Sequence, residues 1–189
     1  PDWHDAEAFR AMGRPRLGVF IGAGNLDSMV AHYTAAKRRR SEDFYSPGKR
    51  TGCRPDRAAI VYCNRAREAF GPDVPIILGS LEASLRRFAH YDYWDDSVRR
   101  AILFDAPADL LVYGMGEAAT IEIAHRLRKK QSVHTMTDIP GTGYITRDPS
   151  VCKFDHITLP SFEDVRDDKR LYAEATRTEY AEHDPVRGR

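Results

Sequence analysis

The sequence of 189 residues is poor in cysteine, lacks long apolar runs and carries almost no net charge, and each shortage excludes a class of protein. Its three cysteines, Cys53, Cys63 and Cys152, are odd in number and widely spaced, which argues against a disulfide framework and favours a reducing, cytoplasmic compartment. Because no apolar run approaches the roughly 18 residues of a membrane span, we expect no membrane segment. The formal net charge of +1 excludes a uniformly basic nucleic-acid domain.

Familiar catalytic and cofactor motifs are also missing. The sequence has no Cys-x-x-x-Cys-x-x-Cys run for an iron-sulfur cluster, no G-x-x-x-x-G-K-[ST] phosphate loop, no G-x-S-x-G elbow and no H-E-x-x-H helix. The chain begins at Pro1 without an initiator Met, which predicts a segment of a longer protein. The length of 189 residues predicts one domain.

Apolar strands and amphipathic helices alternate along the chain. Apolar runs that predict buried strands lie at residues 17–21, 74–78 and 110–113, with a weaker candidate at 143–146. Helical signals follow at Asn25 or Asp27, from Asp56 to Phe70, at Leu81, Leu85 and Phe88, at Val98 and Ile102, and after Glu117. A capping box at Ser161 and Asp164 opens a final, mostly charged helix that ends near His183.

This alternation predicts an α/β fold with an open, mostly parallel sheet and helices on both faces, of the Rossmann-like kind. We expect this domain to occupy residues 1–158. Residues 159–189 are expected to form a connector helix and a charged tail.

Glycines follow all three strands, where ligands of open parallel sheets usually bind. If the strands are parallel, one crevice would be lined by a common set of cofactor-binding candidates: Gly24, Asn25, Gly79, Ser80, Gly114, Gly116 and Glu117. The alternative is that these glycines only close tight turns. The run from Gly114 through Gly116 to Ala119 also matches the G-x-G-x-x-[GA] form, with Asp138 near the distance of a ribose-binding acid, although residues 133–137 make a poor strand.

The small net charge hides a gradient. Residues 1–100 carry a net charge of +4 and residues 101–189 a net charge of −3. Between Ala31 and Phe70 ten Lys or Arg residues face four acids, and Phe44 and Tyr45 interrupt the cations. Aromatic rings among cations favour single-stranded nucleic acid or another anionic ligand. The alternative is a solvated loop, or one that docks on an acidic face of another domain.

An aromatic and acidic stretch lies between two arginine pairs. Its residues and the preceding arginine pair are candidates for domain or substrate docking: Arg86, Arg87, His90, Tyr91, Asp92, Tyr93 and Trp94. The cluster could stack a ring or grip an anion, and His90 with Asp92 or Asp95 could hold a metal or move a proton, although this spacing is unspecific. The alternative is that the aromatics anchor a connection and the acids neutralise the arginines.

Four blocks of sequence carry a family resemblance. They are Gly-Asn-Leu-Asp-Ser-Met-Val at residues 24–30, Arg-Pro-Asp-Arg-Ala at 54–58, Glu-Ala-Ser-Leu-Arg-Arg at 82–87 with His-Tyr-Asp-Tyr-Trp at 90–94, and Tyr-Gly-Met-Gly-Glu at 113–117. Together they resemble the N-terminal region of YgiQ-type (UPF0313) radical SAM proteins. The glycine-ended strands are also similar to the cobalamin-binding domain that precedes the radical SAM barrel in many relatives.

The resemblance implies a parent enzyme that carries a [4Fe-4S] cluster and cleaves S-adenosylmethionine. It implies that the cluster ligands lie beyond Arg189, so that this segment binds no metal or cofactor and its partner is the barrel of the same chain. The first strand of such a domain would precede Pro1. Ser80 and Met115 stand where the wider cobalamin pattern has Gly and Glu, and no Asp-x-His-x-x-Gly run offers an axial histidine, so we expect the fold to persist in this family without its ligand. Cobalamin binding is kept as the alternative.

Three hypotheses follow. The leading one is a non-catalytic accessory domain that shapes a crevice with Asn25, Ser80 and Glu117 and docks on the barrel through residues 86–94. The second is an autonomous module that binds cobalamin or a dinucleotide. The third is an RNA-docking module that uses residues 37–57, and the substrate of the parent, a small molecule or RNA, is open.

Overall fold

A computed structural model describes residues 1–183 and 188. It contains two compact units, one formed by Pro1–Arg87 with Ile102–Lys153 and the other by Phe88–Ala101 with Phe154–Arg189. The predicted domain boundary at residue 158 stays a prediction, and the predicted tail after residue 183 lies outside the described residues except for residue 188.

Six strands and seven α-helices make up the described part of the chain. The strands are β1 (Val19–Gly22), β2 (Ile76–Gly79), β3 (His90–Asp92), β4 (Ser97–Arg99), β5 (Leu110–Val112) and β6 (Thr142–Gly143). The helices are α1 (Glu7–Arg10), α2 (Ser28–His32), α3 (Ala58–Phe70), α4 (Ser80–Leu85), α5 (Glu117–Arg128), α6 (Phe162–Asp167) and α7 (Lys169–Glu182).

The first unit is built on a four-stranded sheet with the strand order β1-β2-β5-β6. Strands β1, β2 and β5 run parallel, and β6 pairs antiparallel with β5. Gly22 pairs with Gly79 in the register of β1 and β2, so these two strands end together. The predicted open, mostly parallel sheet is confirmed.

The sheet is covered on both faces because successive side chains of a strand point to opposite sides. On one face, Ile76 and Leu78 of β2 pack in a core cluster with α3. The four predicted apolar positions of α3 all lie in that cluster: Ala59, Cys63, Ala66 and Phe70. On the other face, Ile77 packs in a second cluster with Ile123 and Leu127 of α5. The helices on both faces are those that the apolar spacing predicts.

Two predicted helix starts differ in detail. Asp27 caps α2 by accepting hydrogen bonds from Met29 N and Val30 N, but this helix has only five residues and ends at His32. Asp56 does not cap α3. The N-cap position belongs to Arg57, whose backbone is left-handed with φ 50°, and the Asp56 side chain turns away toward other partners.

The stripe of Leu81, Leu85 and Phe88 does not face the core. These side chains are 40%, 58% and 43% exposed, and the buried positions of α4 are Glu82 and Ala83. The spacing predicts a short helix at this place, and α4 confirms it. Its inner side is occupied by a buried carboxylate, Glu82, for the reason given below.

The second unit contains the hairpin of β3 and β4 and the helices α6 and α7. Tyr91 pairs with Val98 across the hairpin, so the predicted helical turn at Val98 is a strand. The backbone N–H of Tyr91 donates to the hydroxyl of Tyr172 on α7 at 3.0 Å. Ser161 caps α6 as predicted, accepting from Asp164 N at 3.1 Å. The final helix is divided because Asp168 is extended and caps α7.

Candidate functional site

A cleft lies at the carboxyl ends of the parallel strands, where the glycines after the strands predict it. It encloses about 280 Å³ and lies within the first unit. Its lining residues come from the ends of β1, β2 and β5 and from the start of α5: Phe20, Ile21, Gly22, Ile77, Gly79, Ser80, Val112, Gly114, Gly116 and Thr120. Among the described residues, those that line this cleft carry no charged side chain. Its polar groups are backbone N–H and C=O groups and the hydroxyls of Ser80 and Thr120.

Close packing explains one of the cleft glycines, and backbone conformation explains another. A Cβ at Gly116 would lie 2.6 Å from Cγ1 of Val112, so a side chain there would require that methyl group to shift. Gly114 has φ +67°, a left-handed conformation that favours glycine. Both positions in the turn from β5 to α5 therefore favour glycine. Because glycine has no side chain, the cleft that these residues line stays open.

Ser80 occupies a position where glycine would be less strained. Its φ is 76°, and its Oγ accepts a hydrogen bond from Ala23 N at 3.1 Å. The hydroxyl thus joins the end of β1 to the start of α4. This bond accounts for a serine at a left-handed position, since glycine would leave the Ala23 N–H without this acceptor.

The predicted cofactor-binding residues divide into two groups. Gly79, Ser80, Gly114 and Gly116 line the cleft, whereas Gly24, Asn25 and Glu117 are exposed and lie outside the residues that line it. Their role as ligands stays a prediction. Sequence reasoning missed the side chains of the cleft wall, which include Phe20, Ile77, Val112 and Thr120. The available signal was that side chains alternate between the two faces along a strand. Phe20 and Ile77 pair in register, so both lie on the face that carries the cleft wall.

The ion pair that Asp138 forms is not part of this cleft. Its carboxylate pairs with Arg126, whose Nε also donates to Glu122 Oε1 at 2.7 Å as the helical spacing predicts. Arg126 belongs to the last turn of α5, whereas the cleft lies at the first turn of that helix. The geometry therefore does not support Asp138 as a ribose-binding acid of this cleft.

The predicted docking segment spans both units. Arg86 and Arg87 belong to the first unit, and His90–Trp94 belong to the second. Arg86 pairs with Asp27 inside the first unit, while Arg87 donates to Ser84 O at 2.6 Å and lies over the Tyr113 ring. The first arginine pair is thus engaged inside its own unit.

Residues 90–94 form the first half of the hairpin in the second unit. Asp92 is buried, and its Oδ1 accepts from Trp94 N at 2.8 Å and from Asp95 N at 3.3 Å. Arg99 pairs with Asp95 at 3.1 Å. These acids shape the hairpin turn and neutralise an arginine, while Tyr91 and Tyr93 expose 48% and 56% of their surface.

A buried polar network lies beside the sheet and was not predicted. Its members are Asp27, Ser28, His32, Asp43, Arg54, Glu82 and Arg86, together with Asp56, whose side chain is 41% exposed at the edge of the network. Glu82, which is 1% exposed, accepts from Ser28 N at 2.9 Å and from Ala59 N at 3.0 Å. Because these N–H groups begin α2 and α3, one carboxylate caps two helices and faces the positive end of each. This is why Glu82 is buried while Leu81 and Leu85 are exposed.

His32 joins this network to the long connection after α2. Its Nδ1 lies 2.8 Å from Asp56 Oδ1, and Tyr33 donates its hydroxyl to Asp56 Oδ2 at 2.6 Å. The Nε2 atom is buried without a hydrogen-bond partner and lies 3.7 Å from Asp43 Oδ2. Burial acts to raise the pKa of Asp56, but the hydrogen bonds from Tyr33 and His32 outweigh it and lower the pKa.

Asp43 is the second carboxylate that fixes this connection. Arg54 holds it with two nearly equal contacts, Nε to Oδ2 at 2.8 Å and Nη2 to Oδ1 at 2.9 Å, and Ser46 Oγ donates at 2.7 Å. Tyr45 N adds a further bond at 3.0 Å. Burial acts to raise the pKa of Asp43, but the hydrogen bonds from Arg54, Ser46 and Tyr45 N dominate and lower it to about 2.

The basic loop, residues 37–57, displays its cations on the surface of the first unit. Six of them are exposed: Lys37, Arg38, Arg39, Arg40, Lys49 and Arg50. Phe44 is 72% exposed and Tyr45 is 44% exposed. A pocket of about 390 Å³ adjoins the loop and is lined by Trp3, Arg39, Gly52, Arg54, Pro55, Asp56 and Val61.

The cysteines do not make a metal centre in the described residues. Cys53 is exposed, Cys63 is buried in the core and Cys152 is half-buried. Burial raises the pKa of the Cys63 thiol to about 12, so this group stays protonated at neutral pH. No group of three or more His, Cys, Asp or Glu side chains with metal-binding geometry is found in the part of the chain that the structure describes.

The helices of the described residues are all too short or too polar to span a lipid bilayer.

Fold and cleft define an α/β domain with a strand-end crevice, and sequence comparison identifies its family. The family described as Radical SAM N-terminal matches residues 1–189, so the chain belongs to that family. A UPF0313 protein of Clostridium botulinum (strain 657 / Type Ba4) is 53% identical over 189 residues, which cover 100% of this chain and 29% of that protein. A UPF0313 protein of Clostridium perfringens (strain SM101 / Type A) is also 53% identical, with 100% and 28% covered.

The chain therefore spans less than a third of the length of these relatives. The resemblance to UPF0313 proteins that the four sequence blocks predict is confirmed. No solved structure shows a significant match to the chain.

Proposed function

We propose that this chain is the non-catalytic accessory domain of a radical SAM enzyme and that its strand-end cleft forms one wall of the crevice in which the rest of the protein holds its substrate. The observation that carries the proposal is the cleft itself. It is open, it lies at the edge of the sheet where α/β folds bind ligands, and its lining offers contact surface and hydroxyls without an acid, base or nucleophile pair. Such a surface can shape a substrate site without supplying the chemistry.

The three cysteines, all among the described residues, do not group as the ligands of a [4Fe-4S] cluster would. Such a cluster needs several thiolates close together. Cys63 is held as a thiol in the core, and Cys53 and Cys152 lie in no grouped site of the described residues. The cluster and the S-adenosylmethionine site of the enzyme are therefore proposed to lie in the other part of the protein.

The hairpin residues 90–94 are proposed to dock on the radical SAM barrel. The support is the exposure of Tyr91 and Tyr93, since tyrosine provides a large contact surface with a polar end and is enriched in interfaces. Arg86, which was predicted to share this role, is paired with Asp27 and is assigned a structural one. Cobalamin binding and a cytoplasmic location stay predictions.

A photo-crosslinker placed in the cleft tests the proposal in the full-length protein. We would replace Thr120, which lines the cleft, with p-benzoylphenylalanine, and would place the same group at the exposed Lys129 as a matched control just beyond the other end of α5. Because the cleft wall faces the substrate crevice, we expect Thr120 to crosslink to residues of the cluster-binding part of the same chain. Peptide mass spectrometry locates the crosslink.

Two outcomes would contradict the proposal. Crosslinking from Lys129 but not from Thr120 would place the interface at the opposite end of the helix. A loss of iron and labile sulfide in a Cys53→Ser, Cys63→Ala, Cys152→Ser triple variant that remains folded would place cluster ligands in this chain.

A further inference from the structure

We propose that the basic loop, residues 37–57, together with the pocket beside Trp3, binds single-stranded polynucleotide. This binding surface is separate from the strand-end cleft, and it does not depend on the function proposed for that cleft. The observations that carry it are a concentration of exposed cations, two exposed aromatic rings among them, and a loop backbone that internal bonds hold in place.

The exposed part of the loop keeps its excess of positive charge. Of the loop acids, Asp43 is buried and neutralised by Arg54, and Asp56 is hydrogen-bonded to His32 and Tyr33. The six exposed cations are therefore opposed by two exposed carboxylates, Glu42 and Asp56, and Asp56 already accepts hydrogen bonds. A surface of this kind attracts a polyanion by releasing its counterions.

The loop presents its cations from a fixed backbone. Asp43 N donates to Lys49 O at 2.9 Å inside the loop, and Arg40 N donates to the carbonyl of His32, the last residue of α2, at 2.8 Å. The Asp43 carboxylate adds the bonds from Arg54, Ser46 and Tyr45 described above. Because these bonds restrain the loop backbone, we expect less conformational entropy to be lost on binding.

Exposed rings distinguish the expected ligand from other anions. Lys49 Nζ lies 4.9 Å from the centre of the Phe44 ring, and the Arg54 guanidinium lies 5.0 Å from that of Tyr45. Flat rings beside cations bind a base by stacking while the neighbouring phosphate meets the charge. An acidic protein or a duplex would use the cations but would leave the exposed face of Phe44 without a partner.

The pocket next to the loop adds a place for an unstacked base. Its lining includes the indole of Trp3 and the guanidinium of Arg39 beside Arg54 and Asp56, which are engaged in the bonds of the loop itself. The Trp3 Nε1–H is buried without a hydrogen-bond partner. Indole and guanidinium groups both stack on bases. A chain of nucleotides could therefore place phosphates on the loop cations and a base in this pocket.

Fluorescence anisotropy with the full-length protein tests the proposal. The probes are labelled oligouridylate, oligodeoxythymidylate and a duplex of equal length, titrated between about 50 and 200 mM salt. With about five phosphate contacts we expect a slope of log affinity against log salt of about −3 to −4 for the single strands. The two single-stranded probes distinguish RNA from DNA.

Three variants make the test specific. Arg38→Glu with Arg50→Glu is expected to weaken single-strand binding by at least about tenfold and to reduce the salt slope by roughly 1 to 1.5. Arg128→Glu with Lys129→Glu changes the charge equally at another exposed site and is expected to alter affinity by less than about threefold. Phe44→Ala is expected to lower affinity at least about fivefold without changing the salt slope.

Several results would overturn the proposal. One is an affinity that the control pair lowers as much as the loop pair does. Another is duplex binding as tight as single-strand binding with no effect of Phe44→Ala, which would indicate a docking surface for polyanions in general. Absence of binding to all three probes would also refute it. If the double loop variant does not fold, Arg50→Gln removes one exposed cation and gives the same test with a smaller amplitude.

Discussion

The arginines of the basic loop look alike in the sequence but lie in two different environments. Arg54 is 13% exposed in its side chain and holds the buried Asp43, whereas Arg38 and Arg50 are exposed to solvent. The first is part of the scaffold, and the other two are available to a ligand. The comparison shows that a cluster of positive charge in a sequence can contain both the surface that binds and the bonds that hold that surface in place.

The same distinction applies to the sequence blocks that carry the family resemblance. The blocks at residues 24–30, 54–58 and 82–87 supply six of the eight members of the buried polar network. These residues cap α2 and α3 and fix the base of the basic loop. Within these three blocks the network residues therefore serve the fold, and the surfaces proposed to bind partners are formed by residues around them.

The largest expected effect follows from removing the carboxylate that caps two helices. Glu82→Ala leaves the N–H groups of Ser28 and Ala59 buried without their acceptor, and we expect the free energy of unfolding to fall by about 3 to 4 kcal/mol. Glu174→Ala on α7, at an exposed position, is the control and is expected to change it by less than about 0.5 kcal/mol. Urea denaturation measures both. Equal, small effects would show that Glu82 does not hold the two helices.

A smaller effect separates the two kinds of arginine. Arg54→Gln leaves the buried Asp43 carboxylate without its ion pair, so we expect a loss of about 2 to 3 kcal/mol in the free energy of unfolding. Arg50→Gln removes an exposed charge and is expected to change stability by less than about 0.5 kcal/mol. Thermal and urea unfolding of the two variants give the comparison. A loss from Arg50→Gln as large as that from Arg54→Gln would remove the distinction between scaffold and surface.

The sequence predicted the parts of the fold that depend on local patterns. The glycine-ended strands, the stripe of Ala59, Cys63, Ala66 and Phe70, and the ion pair of Glu122 with Arg126 are all confirmed, because each is set by residues close together along the chain. Four of the seven predicted crevice residues line the cleft for the same reason. In the register of β1 and β2, Gly22 pairs with Gly79, so the turns after these two strands begin at the same edge of the sheet.

The remaining errors come from contacts between distant residues. Glu82 meets Ser28 across 54 residues of sequence, and nothing near Glu82 indicates that two helix N-termini will meet its carboxylate. The burial of that group places Leu81 and Leu85 on the exposed side of α4. Likewise, Asp56 looked like an N-cap of α3, but the better partners are His32 and Tyr33, which the fold brings to it from more than 20 residues away.

The pH dependence of stability tests the central claim that a buried carboxylate anchors the basic loop. The pKa of Asp43 is lowered to about 2 in the folded chain from 3.8, so its contribution is complete above the unfolded value and is lost as the pH falls from about 4 to 2. This difference corresponds to about 2 kcal/mol of unfolding free energy. We predict that Asp43→Asn is less stable than the wild type by about this amount at pH 6 and that the two converge near pH 2. Curves that run parallel from about pH 6 to 2 would contradict the claim.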